Sequence, residues 1–439
     1  MIMKTNYPIL RQILFAAAPL VLLAGCSDKD DPAPIGVAGV EVSRPTLELS
    51  LDGTERLTAA VTPDNAADKT LTWTSSDEAV ATVSSEGVVT ALRAGHTTIT
   101  ATAGGKTGSC AVTVNPDIYV AGYERKENSE DVAVVWKNGE KLYSLTDGTQ
   151  DASAWSVFVS GGGVYTAGYE YNENGKSVAK VWKDGTVLHA LTDGKQNAYA
   201  NSVFVSDGVA YTAGHEYNES GKPVAKVWKD GTELHALTDE TQYAFANSVF
   251  VSGSVVYTAG QERNESGKYV AKVWRNGTLL HSLTDGTHDA DASSVFVSGG
   301  DVYTAGYEYN ESGILVAKLW KNDKEPYTLT DGTRSAEASS VYVAGSDVYV
   351  CGVEEVSENV YMLRVWKNGK VLYSYTPADQ NEEAWLNSIS VWDGDVYTAG
   401  YDGSADGYPA KVWKNDGELY TLTADGSASS VFVYTGPER

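Results

Sequence analysis

Ser202-Val203-Phe204-Val205, Val209-Ala210-Tyr211-Thr212-Ala213-Gly214, Val224-Ala225-Lys226-Val227-Trp228 and Glu233-Leu234-His235-Ala236-Leu237 follow one another within 36 residues. Each run is too short for a helix and most are rich in β-branched or aromatic residues, which predicts four strands, labelled A to D in that order. Asp207-Gly208 joins A to B and Lys229-Asp230-Gly231 joins C to D. Both are tight-hairpin signals, because glycine permits the positive φ such turns need. Asn218-Glu219-Ser220-Gly221 closes a longer B–C loop.

The same unit recurs on both sides of this stretch. Trp falls at 136, 182, 228, 274, 320, 366 and 413. Ala-Gly falls at 121–122, 167–168, 213–214, 259–260, 305–306 and 399–400, with Cys351-Gly352 in the remaining place. The A-strand serine falls at Ser156, Ser202, Ser248, Ser294, Ser340, Ser388 and Ser430. Four antiparallel strands at a period of 40–50 residues is the pattern of propeller blades.

The phase of the repeat predicts closure. The array opens at Asp117-Ile118-Tyr119-Val120-Ala121-Gly122, a B strand with no A strand before it. It ends at Ser430-Val431-Phe432-Val433, an A strand with no B strand after it. Paired, the two remnants complete one blade and remove two free edges. An open solenoid would want capping repeats instead. The expectation for residues 117–439 is therefore a seven-bladed β-propeller of four-stranded blades, closed by the C-terminal strand. Trp and Tyr would fill the splay between blades, and Ala-Gly would sit where sheets approach closely. His189, His235 and His281 share a D-strand slot with Tyr143, Tyr327, Tyr373 and Tyr420, one per blade, too far apart to converge on a metal. Cys351 reads as a small buried filler. The motif Ala-Lys-Val-Trp-Lys-Asp/Asn-Gly followed by Leu-Thr-Asp-Gly resembles uncharacterised propeller lipoproteins of gut Bacteroidetes, which implies a fold and an envelope location rather than an activity.

Residues 36–116 read as short strands punctuated by Asp52-Gly53, Pro63-Asp64-Asn65, Glu86-Gly87 and Gly104-Gly105, the size and pattern of a β-sandwich. The runs Leu71-Thr72-Trp73-Thr74-Ser75-Ser76-Asp77, Ala79-Val80-Ala81-Thr82-Val83, Gly87-Val88-Val89-Thr90-Ala91 and Gly95-His96-Thr97-Thr98-Ile99-Thr100-Ala101-Thr102 resemble the bacterial immunoglobulin-like group 2 domain (BIG2). The resemblance implies Trp73 as the core tryptophan and a stalk or adhesive role. His96 reads as a solvent-facing turn residue. The fold class expected for the whole chain is all-β.

The N-terminus is predicted to be a targeting segment. Lys4 and Arg11 precede an apolar stretch from Ile13 to Ala24, short for a membrane span. It ends in Leu23-Ala24-Gly25-Cys26, which resembles a bacterial lipobox, implying a signal peptide over residues 1–25 and a diacylglycerol on Cys26. Residues 26–35 are an acidic, proline-containing tether similar to the export signal of surface lipoproteins. These readings place the chain in the outer membrane, lipid-anchored and facing the exterior, as a monomer.

The chain has 439 residues and a formal net charge of −25, spread along its length. Such a surface disfavours nucleic acid and anionic lipid headgroups. With Cys26 lipidated, Cys110 and Cys351 fall in different domains and pairing is not expected. No cofactor, metal site or catalytic residue is predicted, and no Ser-His-Asp, Cys-His or phosphate-loop motif stands out. The repeat turns could chelate calcium weakly but need no metal as turns.

Ligands bind propellers on one face, around the central channel. The D–A loops there are predicted to carry the residues that vary within a fixed Leu-Thr-Asp-Gly…Ser-Val frame. The candidate ligand-binding residues are Trp155, Tyr199, Asn201, Tyr243, Phe245, Asn247, Asp291, Glu337, Glu383 and Trp385, beside Asp289, Arg334, Glu382 and Asn387. Aromatic rings stack on the C–H faces of sugars while carboxylates and amides hydrogen-bond hydroxyls, so a glycan or a protein segment is the expected ligand. The alternative for the aromatics is a plug in the channel mouth. Three function classes follow: a surface binding or adhesion module, a propeller glycosidase or lyase using carboxylates such as Asp291, Glu337 and Glu383, and a scaffold without a small ligand.

Overall fold

The computed structural model describes residues 33–126, 130–325, 327–358, 360–379, 382–404 and 407–437. The predicted signal peptide, Cys26 and most of the tether lie outside the described residues. Among the described residues, every regular element is a strand.

The N-terminal sandwich holds a sheet ordered Thr46–Ser50, Lys106–Asn115, Gly95–Ala103, Thr72–Ser75, the first pair parallel. A second sheet joins Thr54–Arg56, Val88–Ala91 and Ala81–Val83, and Gly39–Val42 pairs with Ala59–Thr62. Leu57, Val89, Ile99 and Val112 are fully enclosed between them. Trp73 is only half-buried, packed on the rim of this core rather than at its centre, where its indole abuts Gly87.

Seven further sheets follow. Blade 1 comprises Asp117–Arg125, Asp131–Lys137 and Glu140–Ser144, with Gly426–Tyr434 paired antiparallel to its first strand. The innermost strands of blades 2 to 7 are Ala152–Ser160, Ala198–Ser206, Ala244–Ser252, Ala290–Ser298, Ala336–Ala344 and Ala384–Trp392. Blade 5 has three strands among the described residues rather than four. There the C–D turn reads Asn322-Asp323-Lys324, without the usual glycine.

Seven hydrophobic clusters, each shared by two neighbouring blades, run around the ring. One joins Ile118, Val120 and Trp136 of blade 1 to Tyr397, Ala399 and Val412 of blade 7, so the cycle closes. The conserved-spacing serines close it a second time. Val203 N–H donates to Ser156 Oγ at 3.0 Å, and the same bond recurs from each blade to the previous one, ending with Val157 to Ser430 at 3.3 Å and Val431 to Ser388 at 3.1 Å. Below the serines, Phe158, Phe204, Phe250, Phe296 and Tyr342 touch in tilted pairs at centroid distances of 4.6–5.0 Å, and Phe432 meets Phe158 at 4.7 Å. Ser390 takes the seventh place. These six aromatics line the channel at one level.

The Ala-Gly pairs answer to something other than sheet-to-sheet approach. Each innermost strand carries a β-bulge, at Trp155, Asn201, Asn247, Ser293, Ser339, Asn387 and Ser429. Opposite each bulge stands the glycine of the same blade. A Cβ on Gly214 would lie 2.0 Å from Tyr199 O, and one on Gly168 2.0 Å from Ser153 O. Glycine is thus what allows the bulge, and the bulge turns an extra side chain toward the channel.

The outer-strand histidines are packing groups. A Cβ on Gly231 would lie 2.6 Å from His189, and Gly277 meets His235 likewise. Cys351 is fully buried, and both it and Cys110 are free thiols.

His96 is solvent-exposed, as expected, but it lies in the strand Gly95–Ala103 rather than in a turn, and it meets the ring. Its Nε2 lies 2.9 Å from Asp393 Oδ2 in the A–B hairpin of blade 7, and its ring stacks on Trp392 at 6.4 Å. Ala94 N–H donates to Thr435 O beside it at 2.9 Å. The sandwich therefore sits at the hairpin end of the innermost strands. The other end lies nine residues away, roughly 30 Å at strand rise.

Candidate ligand-binding site

That far end is the channel mouth. The candidate residues are not in loops there: strand A of blade 3 begins at Ala198, four residues ahead of the predicted Ser202, and the other blades behave alike. Tyr199, Phe245, Asp291, Glu337 and Trp385 lie in the first turn of pleat, and Trp155, Asn201 and Asn247 at the bulges. Only Tyr243 and Glu383 remain in connecting segments.

Two cavities open at the mouth. The first, about 660 Å³ between blades 6 and 7, is lined by Glu337, Tyr361, Glu382, Glu383 and Trp385 among others. The second, about 550 Å³, brings Trp155 and Asn201 together with Tyr123, Asn387, Tyr401 and Ser427, and Glu383 lines it too. Trp385 is held by its indole N–H, which donates to Ser339 Oγ at 3.2 Å. Trp155 stacks on Tyr199 at 5.5 Å and meets Tyr169 edge-on at 5.0 Å.

The remaining candidates are elsewhere. Tyr199 and Phe245 are bridged by the buried His215, at 5.1 and 4.8 Å. Burial pushes this imidazole down to about 4, and its Nδ1 has no partner among the described residues. Tyr243 is covered by Arg263 at 5.7 Å. Asn247 Nδ2 donates to Asp291 Oδ1 at 2.7 Å, and Ser293 Oγ donates to Oδ2 at 3.0 Å. Asp291 is only 7% exposed, so it supports the mouth rather than lining it.

Burial pushes the Asp291 carboxyl up to about 6. Burial, and then the Asp291 charge, push Glu337 up to about 7. Burial and the Glu383 charge push Tyr401 up to about 12. Glu382 accepts from Tyr408 OH at 2.9 Å, and Arg125 is engaged with Asp131 at 2.9 Å. Among the described residues, no group of three or more His, Cys, Asp or Glu side chains is placed to hold a metal ion.

The second strands contribute residues that the loop-based reading missed: Tyr123, Tyr169, His215 and Tyr401. They fill the slot after each Ala-Gly, which reads Tyr, Tyr, His, Gln, Tyr, Val and Tyr around the ring. That variation was the available signal.

The curated relatives match a short part of the chain, by way of the Ig-like region. The chain is 44% identical over 92 residues to an alpha-L-arabinofuranosidase of Bifidobacterium longum subsp. longum, covering 20% of this chain and 9% of the relative. It is 47% identical over 92 residues to a 3-O-alpha-D-galactosyl-alpha-L-arabinofuranosidase of the same subspecies, covering 20% and 8%. It is 40% identical over 115 residues to a lacto-N-biosidase of Bifidobacterium bifidum, covering 24% and 10%. The chain thus spans about a tenth of the length of these relatives. Residues 36–114 match the family model of the bacterial Ig-like domain (group 2). The N-terminal sandwich belongs to that family.

Proposed function

We propose that this is a lipid-anchored outer-membrane protein whose seven-bladed ring binds a glycan at the channel mouth. The carrying observation is the pair of cavities there, each walled by a fixed tryptophan beside hydroxyl and carboxylate groups, with the Asn201 and Asn387 amides in the second. An aromatic face with a few convergent polar groups is what a sugar requires. The Ig-like domain sits at the opposite end, which suits a stalk that presents the mouth away from the anchor on Cys26. The glycosidases that share this domain are a setting consistent with carbohydrate recognition, though the shared part is the domain alone. On a glycan array, Trp155→Ala combined with Trp385→Ala should abolish retention and leave the melting temperature nearly unchanged. Unaltered retention would remove these residues from the site. Cys26→Ala should release the protein from the membrane fraction.

One observation favours a second reading, glycoside hydrolysis. Glu337 and Glu383 line one cavity, and Glu337 is held near the protonation range of a general acid. Sugar released from a polysaccharide panel, and lost in Glu337→Gln, would establish it; no release by the intact chain would end it.

A further inference from the structure

Each mouth cavity alone has the volume of a site for one small ligand, about 300–1,000 Å³. Together they exceed it, and they meet at one residue, Glu383, which lines both. Each has its own aromatic wall, and both walls are fixed before any ligand arrives. Trp385 is pinned to Ser339, and Trp155 lies against Tyr169 and Tyr199. Preset platforms lose little side-chain entropy on binding.

Apart from the salt-bridged Arg125, the charged side chains lining this groove are carboxylates. Glu337, Glu382 and Glu383 line the first cavity, and Arg125 in the second is already paired with Asp131. An anionic sugar entering here would meet carboxylates and find no unengaged cation among the lining residues, which costs both repulsion and desolvation. Hydroxyls would instead find carboxylate and amide acceptors. Six aromatic rings narrow the channel below, so a ligand that outgrows one cavity has room to extend sideways across the mouth into the other.

We infer that the two cavities act as one groove for an uncharged oligosaccharide, with one sugar against Trp385, another against Trp155, and Glu383 between them. This rests on the glycan reading above and adds chain length and charge to it.

Calorimetric titration of the full chain tests it, using neutral glucose, galactose, mannose and xylose oligomers from the monosaccharide to the hexasaccharide, and oligogalacturonates of matching length. Affinity for at least one neutral series should rise about tenfold or more once the oligomer spans both platforms. The matching galacturonates should bind about tenfold more weakly than galactose oligomers at neutral pH, or not at all. Trp155→Ala should reduce the long oligomer to the affinity of the short one while leaving the short one unchanged, and Trp155→Phe should restore most of the gain. Length-independent affinity, equal loss of short and long ligands in Trp155→Ala, or galacturonates binding as tightly as their neutral counterparts would each overturn the groove while leaving glycan binding intact. Silence across every oligomer from a folded chain would overturn the glycan reading itself, and the groove with it.

Discussion

The lower and upper halves of the innermost strands are built from the same backbone and obey different rules. Below the bulge, Ser-Val-Phe-Val recurs almost unchanged; its serines form a closed ring and its aromatics an arc broken only at Ser390. Above the bulge, the alternating alanines recur because they pack between blades, while the residues between them range over Ser, Tyr, Phe, Asp, Glu and Trp. A repeat holds constant what every blade needs in order to meet its neighbours. Where that demand stops, side chains are free to differ, and they do so around one opening. The glycine opposite each bulge marks the border.

The comparison breaks most sharply at that border. Gly214→Ala would drive a methyl group into Tyr199 O, so overpacking should cost about 3 kcal/mol or more in urea unfolding. Gly253→Ala, at φ 57° with open space around it, should cost only about 1 kcal/mol. Similar losses at both would mean that the bulge does not depend on glycine.

In the aromatic arc, Phe204→Ala removes a ring that touches two others and should cost about 2–3 kcal/mol, less than a fully enclosed phenylalanine. Trp155→Ala in the mouth should cost under about 1 kcal/mol, since its partners can stay solvated. The reverse order would make the upper half structural and the lower half the site.

Asp291 separates the halves by pH. Its folded-state value of about 6 lies above the unfolded value of about 3.9, so the native chain holds a proton that the unfolded chain has lost between those limits. Stability from this group therefore falls as pH rises from about 4 to about 6. Glu337 acts in the same direction up to about 7. Asp291→Asn should remove its share, raising stability at pH 8 relative to the parent by on the order of 2 kcal/mol and leaving pH 4 little changed. A parallel pair of stability–pH curves would sink this assignment.

The smallest effect belongs to the domain junction. Asp393→Ala should change unfolding free energy by less than about 1 kcal/mol, because the His96 contact is well exposed. It should instead widen the spread of sandwich-to-ring distances in a pair-labelling experiment. A cooperative loss of both domains would show a stronger coupling.

The blade count and the phase that closes the ring were legible because Trp, Ala-Gly and Ser recur independently. The mouth was legible only as a set of variable positions. Ala198-Tyr199-Ala200-Asn201-Ser202 loses its two-residue alternation at the bulge, so a strand reads as a loop from sequence. Phe204 looks like an ordinary strand residue until five other aromatic rings stand with it around the channel. His215 and Tyr169 follow Gly at a strand's end, where variation is usually uninformative. His96 needed Asp393, almost three hundred positions away, to acquire a role.

Hydrogen exchange of the Gly426–Tyr434 amides tests ring closure most directly. Paired with Asp117–Arg125, they should exchange as slowly as the inner strands of blades 2 to 7. Exchange as fast as a free terminal tail would contradict a ring held shut by its last strand.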